Sequence, residues 1–421
     1  MSDPRRVAYD LLRAVDERDA YANLLLPTLV SGLDARDRAF AAELGYGTLR
    51  ALGTLDHVLG LVSSRPVAEM DPQVRDVLRL GAYQLLRTRV APHAAVSTSV
   101  DLARRVAGIG PSKFVNAVLR KVAARDGDLG LPADPVDALA VETAHPRWIV
   151  EAFADALGGD PREALLADDT RPEVHLVARR VTRDALLASC RAAGLEADAG
   201  PLSPYAVRLR GGDPDTVAAV RSGDAGVQDE GSQVAALTLA DALGPGRHDV
   251  LDLCAGPGGK SALLRATVEG RLVANDVHPH RAGLVRATLR GARDAAVVAS
   301  DGRRGPWRPG TFDAVLLDAP CTGLGALRRR PEARWRRRPE DVAPLQALQR
   351  ELLAAALDAV RPGGLVAYVV CSPHLAETRD VVGTARGAEV LSARQLWPHV
   401  DGTDAMFVSL LQRSGDGTPL D

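Results

Sequence analysis

The sequence contains little cysteine, few aromatic residues and no long apolar run. Its 421 residues include 4 cysteines, at spacings that match neither a disulfide framework nor a zinc site. No segment approaches the ~20 uninterrupted apolar residues of a membrane helix, and the N-terminus has no apolar signal core. These absences argue against a secreted or membrane protein, and the sequence predicts a cytoplasmic protein without bound metal.

Charge is nearly balanced overall but is strongly basic in one segment. The formal net charge is −2, with 46% hydrophobic and 25% charged residues, as in an ordinary globular protein. The segment RRRPEARWRRR at 328–338 places seven arginines around one tryptophan. Such a segment predicts contacts with an RNA backbone and stacking on a base, although a solvated surface loop is the alternative. The residues assigned to RNA from this segment are Arg328, Arg329, Arg330, Arg334 and Trp335.

Helical and strand periodicities divide the chain into three regions. Apolar residues recur at helical spacing through residues 1–125, which predicts an all-α domain, and a linker rich in glycine, proline and aspartate covers 126–140. Residues 141–225 mix helical and short strand-like patterns, as in a small α+β domain. From 226 to 421 strands and helices alternate, which predicts an α/β, Rossmann-like domain built on a doubly wound parallel sheet.

The first strand of this last domain runs into a glycine-rich turn, DLCAGPGGKSALL at 252–264. The turn matches neither the dinucleotide fingerprint nor the P-loop, so nicotinamide binding and phosphate binding are disfavoured. Later strands end in Asp276, Asp301 and Asp318, and parallel strands present their carboxyl ends at one edge. Each aspartate alone could be a helix N-cap, but together they indicate an adenosine ligand with a charged tail, for which S-adenosylmethionine fits. The predicted cofactor residues are Cys254, Ala255, Gly256, Pro257, Gly258, Gly259 and Lys260, with Asp276, Asp301 and Asp318.

Two cysteines follow the fourth and fifth predicted strands, Cys321 in DAPCTG and Cys371 in VVCSP. If those strands are neighbours in a parallel sheet, ~4.8 Å apart, both sulfurs face one crevice. Cysteine is often only a small buried apolar residue, an interpretation that suits Cys190 better than this pair. A thiolate that adds to carbon 6 of cytosine makes carbon 5 nucleophilic enough to accept a methyl group. Asp318 is placed to hydrogen-bond the ring of such an adduct.

Four motifs resemble those of the RNA cytosine-C5 methyltransferases, in particular the Sun-type, RsmB-like bacterial enzymes that act on small-subunit ribosomal RNA. They are DLCAGPGGKS, NDVHPHR, FDAVLLDAPCTGLGALRRRPEARW and VVCSPHLAET. Residues 1–125 resemble the NusB-type helical RNA-binding domain fused to that subfamily. The resemblance implies that Cys371 is the nucleophile and that Cys321 assists proton removal and product release, with Cys321 as the alternative nucleophile. Asp318 and Lys260 complete the predicted catalytic set, and Arg281 joins the predicted RNA contacts.

Two alternatives share these features. A methyltransferase acting on transfer RNA would have the same catalytic residues, and a ribosome-assembly factor could bind RNA through its helical domain while keeping the methyltransferase domain as a scaffold. The scaffold alternative predicts a degraded cofactor turn or a missing cysteine, and the sequence has neither. We therefore expect a monomeric, S-adenosylmethionine-dependent enzyme whose partner is RNA, with 16S ribosomal RNA or an assembly intermediate as the first expectation.

Overall fold

The computed structural model describes residues 3–415. Residues up to Arg171 form one compact unit together with Leu327–Arg337, here named the helical unit. Residues Pro172–Ala326 form a second compact unit with the chain from Arg338 onward, here named the sheet unit.

The helical unit is a bundle whose helices begin at well-defined caps. The side chains of Asp3, Asp34, Asp71 and Asp134 each accept a hydrogen bond from a backbone N–H of the first turn that follows, which satisfies donors that have no partner inside the helix. The apolar faces of the first seven helices meet in one core. The helices are α1 (Pro4–Arg18), α2 (Ala22–Leu29), α3 (Ala35–Arg50), α4 (Leu52–Val62), α5 (Pro72–Arg87), α6 (Pro92–Ala107), α7 (Ile109–Ala123), α8 (Pro135–Glu142), α9 (Arg147–Leu157) and α10 (Arg162–Asp168).

The remaining helices lie in the sheet unit, except for one short helix in the arginine-rich segment, α16, which belongs to the helical unit. They are α11 (Arg183–Ala192), α12 (Ala218–Arg221), α13 (Glu230–Leu243), α14 (Gly259–Thr267), α15 (Pro279–Thr288), α16 (Ala333–Arg336), α17 (Val342–Ala359), α18 (Arg379–Val382) and α19 (Pro398–Asp401).

A small antiparallel sheet opens the sheet unit. Its strands are β1 (Val174–Ala178), β2 (Ala197–Ala199), β3 (Ala206–Leu209) and β4 (Ala225–Val227), in the order β2-β3-β1-β4. Helix α11 packs on it, and Cys190 of that helix is fully buried in the local apolar core. Cys190 is therefore a small core residue, as the sequence indicated.

A seven-stranded sheet forms the centre of the sheet unit. Its strands are β5 (Arg247–Asp252), β6 (Glu269–Asn275), β7 (Ala295–Val298), β8 (Phe312–Asp318), β9 (Val360–Val370), β10 (Ala388–Gln395) and β11 (Phe407–Arg413). The order is β10-β11-β9-β8-β5-β6-β7. Strands β5 to β9 pair in parallel, which confirms the Rossmann-like prediction for them.

The last two strands depart from the predicted all-parallel sheet. Strand β11 is antiparallel to both β9 and β10. Residues 396–406 join β10 to β11, and parallel neighbours need a crossover of about a dozen residues or more, usually through a helix. The short connection therefore reverses the chain and produces a mixed sheet.

The compact units also divide the chain later than the predicted linker at 126–140. Helices α8 to α10 belong to the helical unit, whose first segment ends at Arg171. The Thr54 hydroxyl donates to the Val141 carbonyl (2.5 Å), and the His57 ring contacts the Gly130 carbonyl (2.9 Å). These contacts join the predicted linker and the residue just beyond it to α4 within the helical unit, and the domain bounds read from the sequence stay a prediction.

Within 3–415 no helix combines the length and apolar character needed to cross a bilayer. The same residues contain no cluster of histidine, cysteine and carboxylate side chains arranged to hold a metal ion.

Candidate active site

The two cysteines singled out by the sequence lie side by side at the carboxyl edge of the large sheet. Strands β8 and β9 are parallel neighbours, with Asp318 paired in register with Val369. Cys371 directly follows β9, and Cys321 lies shortly beyond the end of β8. The backbone N–H groups of Gly323 and Cys371 lie close enough to the Cys321 thiol to lower its pKa, although burial raises it more. The expectation that these strands are neighbours is confirmed, and both thiols share one end of the sheet.

Gly325 joins the two loops that carry the thiols, here named the Cys321 loop (residues 319–326) and the Cys371 loop (residues 371–374). The Gly325 N–H donates to the Cys371 carbonyl (3.0 Å), and the Gly325 carbonyl accepts from the Ala405 N–H (2.9 Å). A Cβ at Gly325 would lie 1.9 Å from the Ala405 carbonyl oxygen and 2.9 Å from the Cys371 carbonyl carbon. The loops approach this closely only because residue 325 has no side chain.

Lys260 and Asp318 form an ion pair near these loops. The Lys260 Nζ lies 2.8 Å from Asp318 Oδ2, and the lysine side chain is only 11% exposed. Burial disfavours the charged lysine, but the Asp318 carboxylate outweighs it, so the pKa of Lys260 is raised. The ammonium therefore stays charged at neutral pH. It pairs with Oδ2 of Asp318, and the second carboxylate oxygen, Oδ1, takes no part in this contact.

The two thiols have different charged neighbours. Burial raises the pKa of the Cys371 thiol well above its usual range, the Asp404 carboxylate adds to the rise, and Lys260 opposes it. Burial raises the pKa of Cys321 to about 12, and the Glu377 carboxylate is the next largest cause. Without other ligands both groups are thiols at neutral pH, and the cation that favours a thiolate acts on Cys371.

The predicted cofactor turn lies between β5 and α14 and is held from the next strand. Asp276 Oδ2 accepts from the Gly256 N–H (3.1 Å), and Arg281 donates to the Gly256 carbonyl (2.5 Å). A Cβ at Gly256 would lie 2.4 Å from Asp276 Oδ2, so the turn needs glycine to pack on this carboxylate. Arg281 also lies 3.3 Å from Asp276. Its guanidinium holds the turn while 41% of the side chain is exposed, and the assignment of Arg281 to RNA stays a prediction.

The carboxylates clustered near the turn determine whether an anionic or a cationic cofactor suits it. Burial raises the pKa of Asp252 to about 7, and Asp318 and Asp276 add to the rise because their charges are close. The two cations near this cluster, Lys260 and Arg281, are already paired with Asp318 and Asp276. Such a cluster repels phosphate groups and attracts a cation. The residues at the turn therefore fit the positively charged sulfonium of S-adenosylmethionine.

Asp301 occupies the predicted edge but has local partners. Its carboxylate accepts from the Arg303 backbone N–H (3.0 Å) and pairs with the Arg303 guanidinium (2.7 Å). These bonds make Asp301 the cap of a short turn, which is the alternative that the sequence left open. Its cofactor role stays a prediction.

Glu377 is a buried carboxylate that the sequence analysis did not select. It is 0% exposed and contacts residues next to both cysteines. The only signal in the sequence is an acidic residue shortly after Cys371, and a glutamate in a loop is usually solvated. Burial and the contacts across two loops become visible only in the structure.

The arginine-rich segment lies mainly inside the helical unit. Arg334 is 0% exposed, and its guanidinium donates to Asp169 (2.8 Å) and to the carbonyls of Arg50 and Ala144 (3.2 Å each). Arg328 is 5% exposed. The assignment of Arg328 and Arg334 to RNA is therefore corrected, because neither side chain is presented to a ligand.

Trp335 and Arg330 have different surroundings within the same segment. A Cβ at Gly53 would lie 2.5 Å from the Trp335 ring, so the indole packs against the backbone of α4. Trp335 is only partly buried, and its assignment to base stacking stays a prediction. Arg330 is exposed, with its guanidinium 5.4 Å from the centre of the Tyr21 ring, and the assignment of Arg329 and Arg330 to RNA stays a prediction.

Comparison with known proteins agrees with both units. Residues 240–389 match the model of the family described as 16S rRNA methyltransferase RsmB/F, and residues 2–124 match that of the NusB family. A Mycobacterium tuberculosis protein named as a methyltransferase is 51% identical, covering 98% of this chain and 97% of that protein. Ribosomal RNA small subunit methyltransferase B of Erwinia tasmaniensis is 32% identical, covering 98% of this chain and 99% of that protein.

Solved structures share the fold. The crystal structure of PH0851 aligns with a TM-score of 0.82 at 21% identity, covering 98% of this chain and 99% of that chain. The structure of NSun6 from Pyrococcus horikoshii with SFG, an analogue of S-adenosylmethionine, aligns with a TM-score of 0.55 at 17% identity. It covers 64% of this chain and 99% of that chain.

The glycine turn, the acidic strand ends and the parallel sheet define an S-adenosylmethionine-dependent RNA methyltransferase. More narrowly, the chain belongs to the RsmB/F family of 16S rRNA methyltransferases, with an N-terminal NusB domain.

The raised pKa of Asp252 predicts that the stability of the protein depends on pH and that replacing Asp252 removes this dependence. The pKa of Asp252 in the folded protein, about 7, exceeds the ordinary value of 3.8. The contribution of the protonated side chain to stability is therefore complete below pH 4, and it is lost as the pH rises through 7. Between pH 5 and pH 8 the loss is roughly 3 kcal/mol. Asp252→Asn retains an acceptor for the Ser261 hydroxyl and should lack this decline in urea-unfolding midpoints. The exposed Asp241→Asn is the control, and an equal decline in Asp252→Asn and wild type would contradict the assignment.

The burial of Arg334 predicts that its replacement lowers the stability of the protein but does not weaken RNA binding. Arg334→Ala should destabilise the helical unit by about 3 kcal/mol, because it removes a buried, charge-assisted donor to Asp169 and two carbonyls. Arg334→Lys should restore little of the lost stability, because a lysine ammonium cannot reproduce the geometry of a guanidinium that donates to three acceptors. Thermal unfolding measures the effect, with exposed Arg330→Ala as the control. A different result would make Arg334 a phosphate contact: Arg334→Ala would then keep wild-type stability, and the slope of log binding constant for RNA against log salt concentration would fall by ~1.

Proposed function

We propose that this protein methylates carbon 5 of a cytosine in 16S ribosomal RNA through a covalent adduct between Cys371 and carbon 6. The observation that carries the proposal is the pairing of two thiol-bearing loops at one sheet edge, with the Lys260–Asp318 ion pair near Cys371. Ribosomal RNA is the first choice of substrate because the matched family and the Erwinia tasmaniensis relative carry that name.

The cofactor would be held by the turn at residues 254–260, with Asp276 beside it. When bound there, S-adenosylmethionine supplies an electrophilic methyl group and a positive charge. The carboxylate cluster around Asp252 complements that charge. The same charge favours ionisation of nearby thiols, whose pKa values burial raises in the protein alone.

Cys371 is the proposed nucleophile because the family resemblance implies it and because Lys260 favours its thiolate, against the effects of burial and of the Asp404 carboxylate. The Cys371 thiol would lose its proton to solvent and its sulfur would bond to carbon 6, with N3 taking up a proton as the ring becomes enamine-like. Carbon 5 would then take the methyl group of the bound cofactor, which would leave as S-adenosylhomocysteine. Asp318 would accept hydrogen bonds from the amino group and the protonated N3, with Lys260 bound to its Oδ2. Cys321 assists removal of the carbon 5 proton, and the released electron pair reforms the ring double bond and expels Cys371.

The target RNA is tested in cells. Deletion of the gene should remove one 5-methylcytosine from 16S ribosomal RNA, and bisulfite sequencing would locate it. Wild type and Cys190→Ala should restore the mark, because Cys190 lies in the core of the small sheet, whereas Cys371→Ala should not. A mark lost from transfer RNA instead would reassign the substrate, and no change in any RNA would favour the scaffold alternative.

The roles of the two thiols are tested by trapping. Cys321→Ala should accumulate a protein–RNA adduct that survives denaturing electrophoresis, because the attack proceeds while release is impaired. Cys371→Ala should form no adduct, and Cys190→Ala should behave as wild type. The reverse pattern would make Cys321 the nucleophile. Absence of adduct in every variant of an active enzyme would reject the covalent route.

A further inference from the structure

Glu377 connects the two cysteine loops through a single carboxylate. Its Oε1 accepts from the Thr322 backbone N–H (2.7 Å), and its Oε2 accepts from the Thr322 hydroxyl (2.5 Å) and the Ser372 hydroxyl (2.6 Å). Thr322 directly follows Cys321, and Ser372 directly follows Cys371. The carboxylate therefore holds both thiol-bearing segments by their adjacent residues.

The position of Glu377 is itself fixed from two sides. The Gln349 amide of α17 donates to Glu377 Oε1 (3.1 Å) and to the Pro320 carbonyl (2.8 Å). The Tyr368 hydroxyl of β9 donates to the Glu377 carbonyl (2.7 Å). Glu377 is 0% exposed and Gln349 is 0% exposed. A buried carboxylate with this many donors has one favourable position, because losing any donor leaves an uncompensated charge.

The carboxylate also acts on the Cys321 thiol. After burial, Glu377 is the largest cause of the raised pKa of Cys321. At Cys371 burial is again the largest cause, the Asp404 and Asp318 carboxylates add to the rise, and Lys260 opposes it. The Glu377 charge therefore disfavours a thiolate at Cys321.

We propose that Glu377 is a positioning residue for methyl transfer, which fixes the spacing of the Cys321 and Cys371 loops. This inference rests on the proposed function for its catalytic consequence. Its second consequence, a Cys321 thiol that is harder to ionise because of the adjacent carboxylate, does not depend on which RNA is the substrate.

Glu377→Gln is the most informative substitution. It preserves size, but an amide nitrogen cannot accept a hydrogen bond, so either the Oε1 donors or the two hydroxyls at Oε2 lose an acceptor. It also removes the negative charge. A displacement of about 1 Å between reacting groups costs on the order of 100-fold in rate. Glu389→Gln is the matched control, since Glu389 lies exposed on β10 in the same unit.

Two measurements on the full-length protein test the proposal. In steady-state methylation, Glu377→Gln should lower kcat on the order of 100-fold, with KM for RNA and cofactor within about 2-fold of wild type. In alkylation with iodoacetamide, resolved by peptide mass spectrometry across pH, Cys321 of Glu377→Gln should react at lower pH than in wild type. The profile of Cys371 should move less, and Glu389→Gln should match wild type in both measurements.

The outcomes separate this proposal from the proposed function. If wild type does not methylate cytosine, the proposed function fails, and the alkylation profiles still decide whether Glu377 distinguishes the thiols. Unchanged kcat together with unchanged Cys321 reactivity in Glu377→Gln would overturn the positioning role. If Glu377→Gln does not fold, Thr322→Val replaces it, because this variant keeps the backbone donor and removes one hydroxyl. Thr322→Val should then lower kcat by a smaller factor, and a wild-type kcat would overturn the proposal.

Discussion

The close approach of the Cys321 and Cys371 loops is the constraint on which the rest of the site depends. A backbone hydrogen bond from Gly325 to the Cys371 carbonyl joins them, and any side chain at residue 325 would overlap the Ala405 carbonyl. The parallel pairing of β8 with β9 sets the loops side by side, and the Glu377 carboxylate then receives donors from both. Chemistry that needs two thiols at one pyrimidine is possible because backbone geometry brings them together.

Charged groups surround both thiols. Burial disfavours both thiolates, the Glu377 carboxylate adds to this effect at Cys321 and the Asp404 carboxylate at Cys371, and Lys260 opposes it at Cys371. The carboxylates of Asp252 and Asp276 beside the glycine turn favour a cationic cofactor over one that carries phosphates. The site is thus arranged for a sulfonium donor, and that donor completes the electrostatics that a nucleophilic cysteine requires.

Sequence reasoning succeeded where periodicity and chain direction decide the structure. Strand ends that carry Asp276, Asp318 and the cysteines were located from alternating patterns, because parallel strands put their carboxyl ends at one edge. It failed where partners are distant in sequence. The burial of Arg334 depends on Asp169 and on carbonyls of two other segments, and a run of arginines alone reads as solvated. Glu377 was missed for the same reason, since its donors lie in other loops.

The central claim is that Cys371 forms a bond to the target cytosine. Fluorine at carbon 5 cannot be removed as a proton is, so RNA made with 5-fluorocytidine should hold the enzyme at the adduct stage after methyl transfer. Tandem mass spectrometry of the digested complex then identifies the attached residue. The account predicts a nucleotide on the peptide that contains Cys371. Attachment at Cys321, or no attachment by an enzyme that methylates unsubstituted RNA, would contradict it.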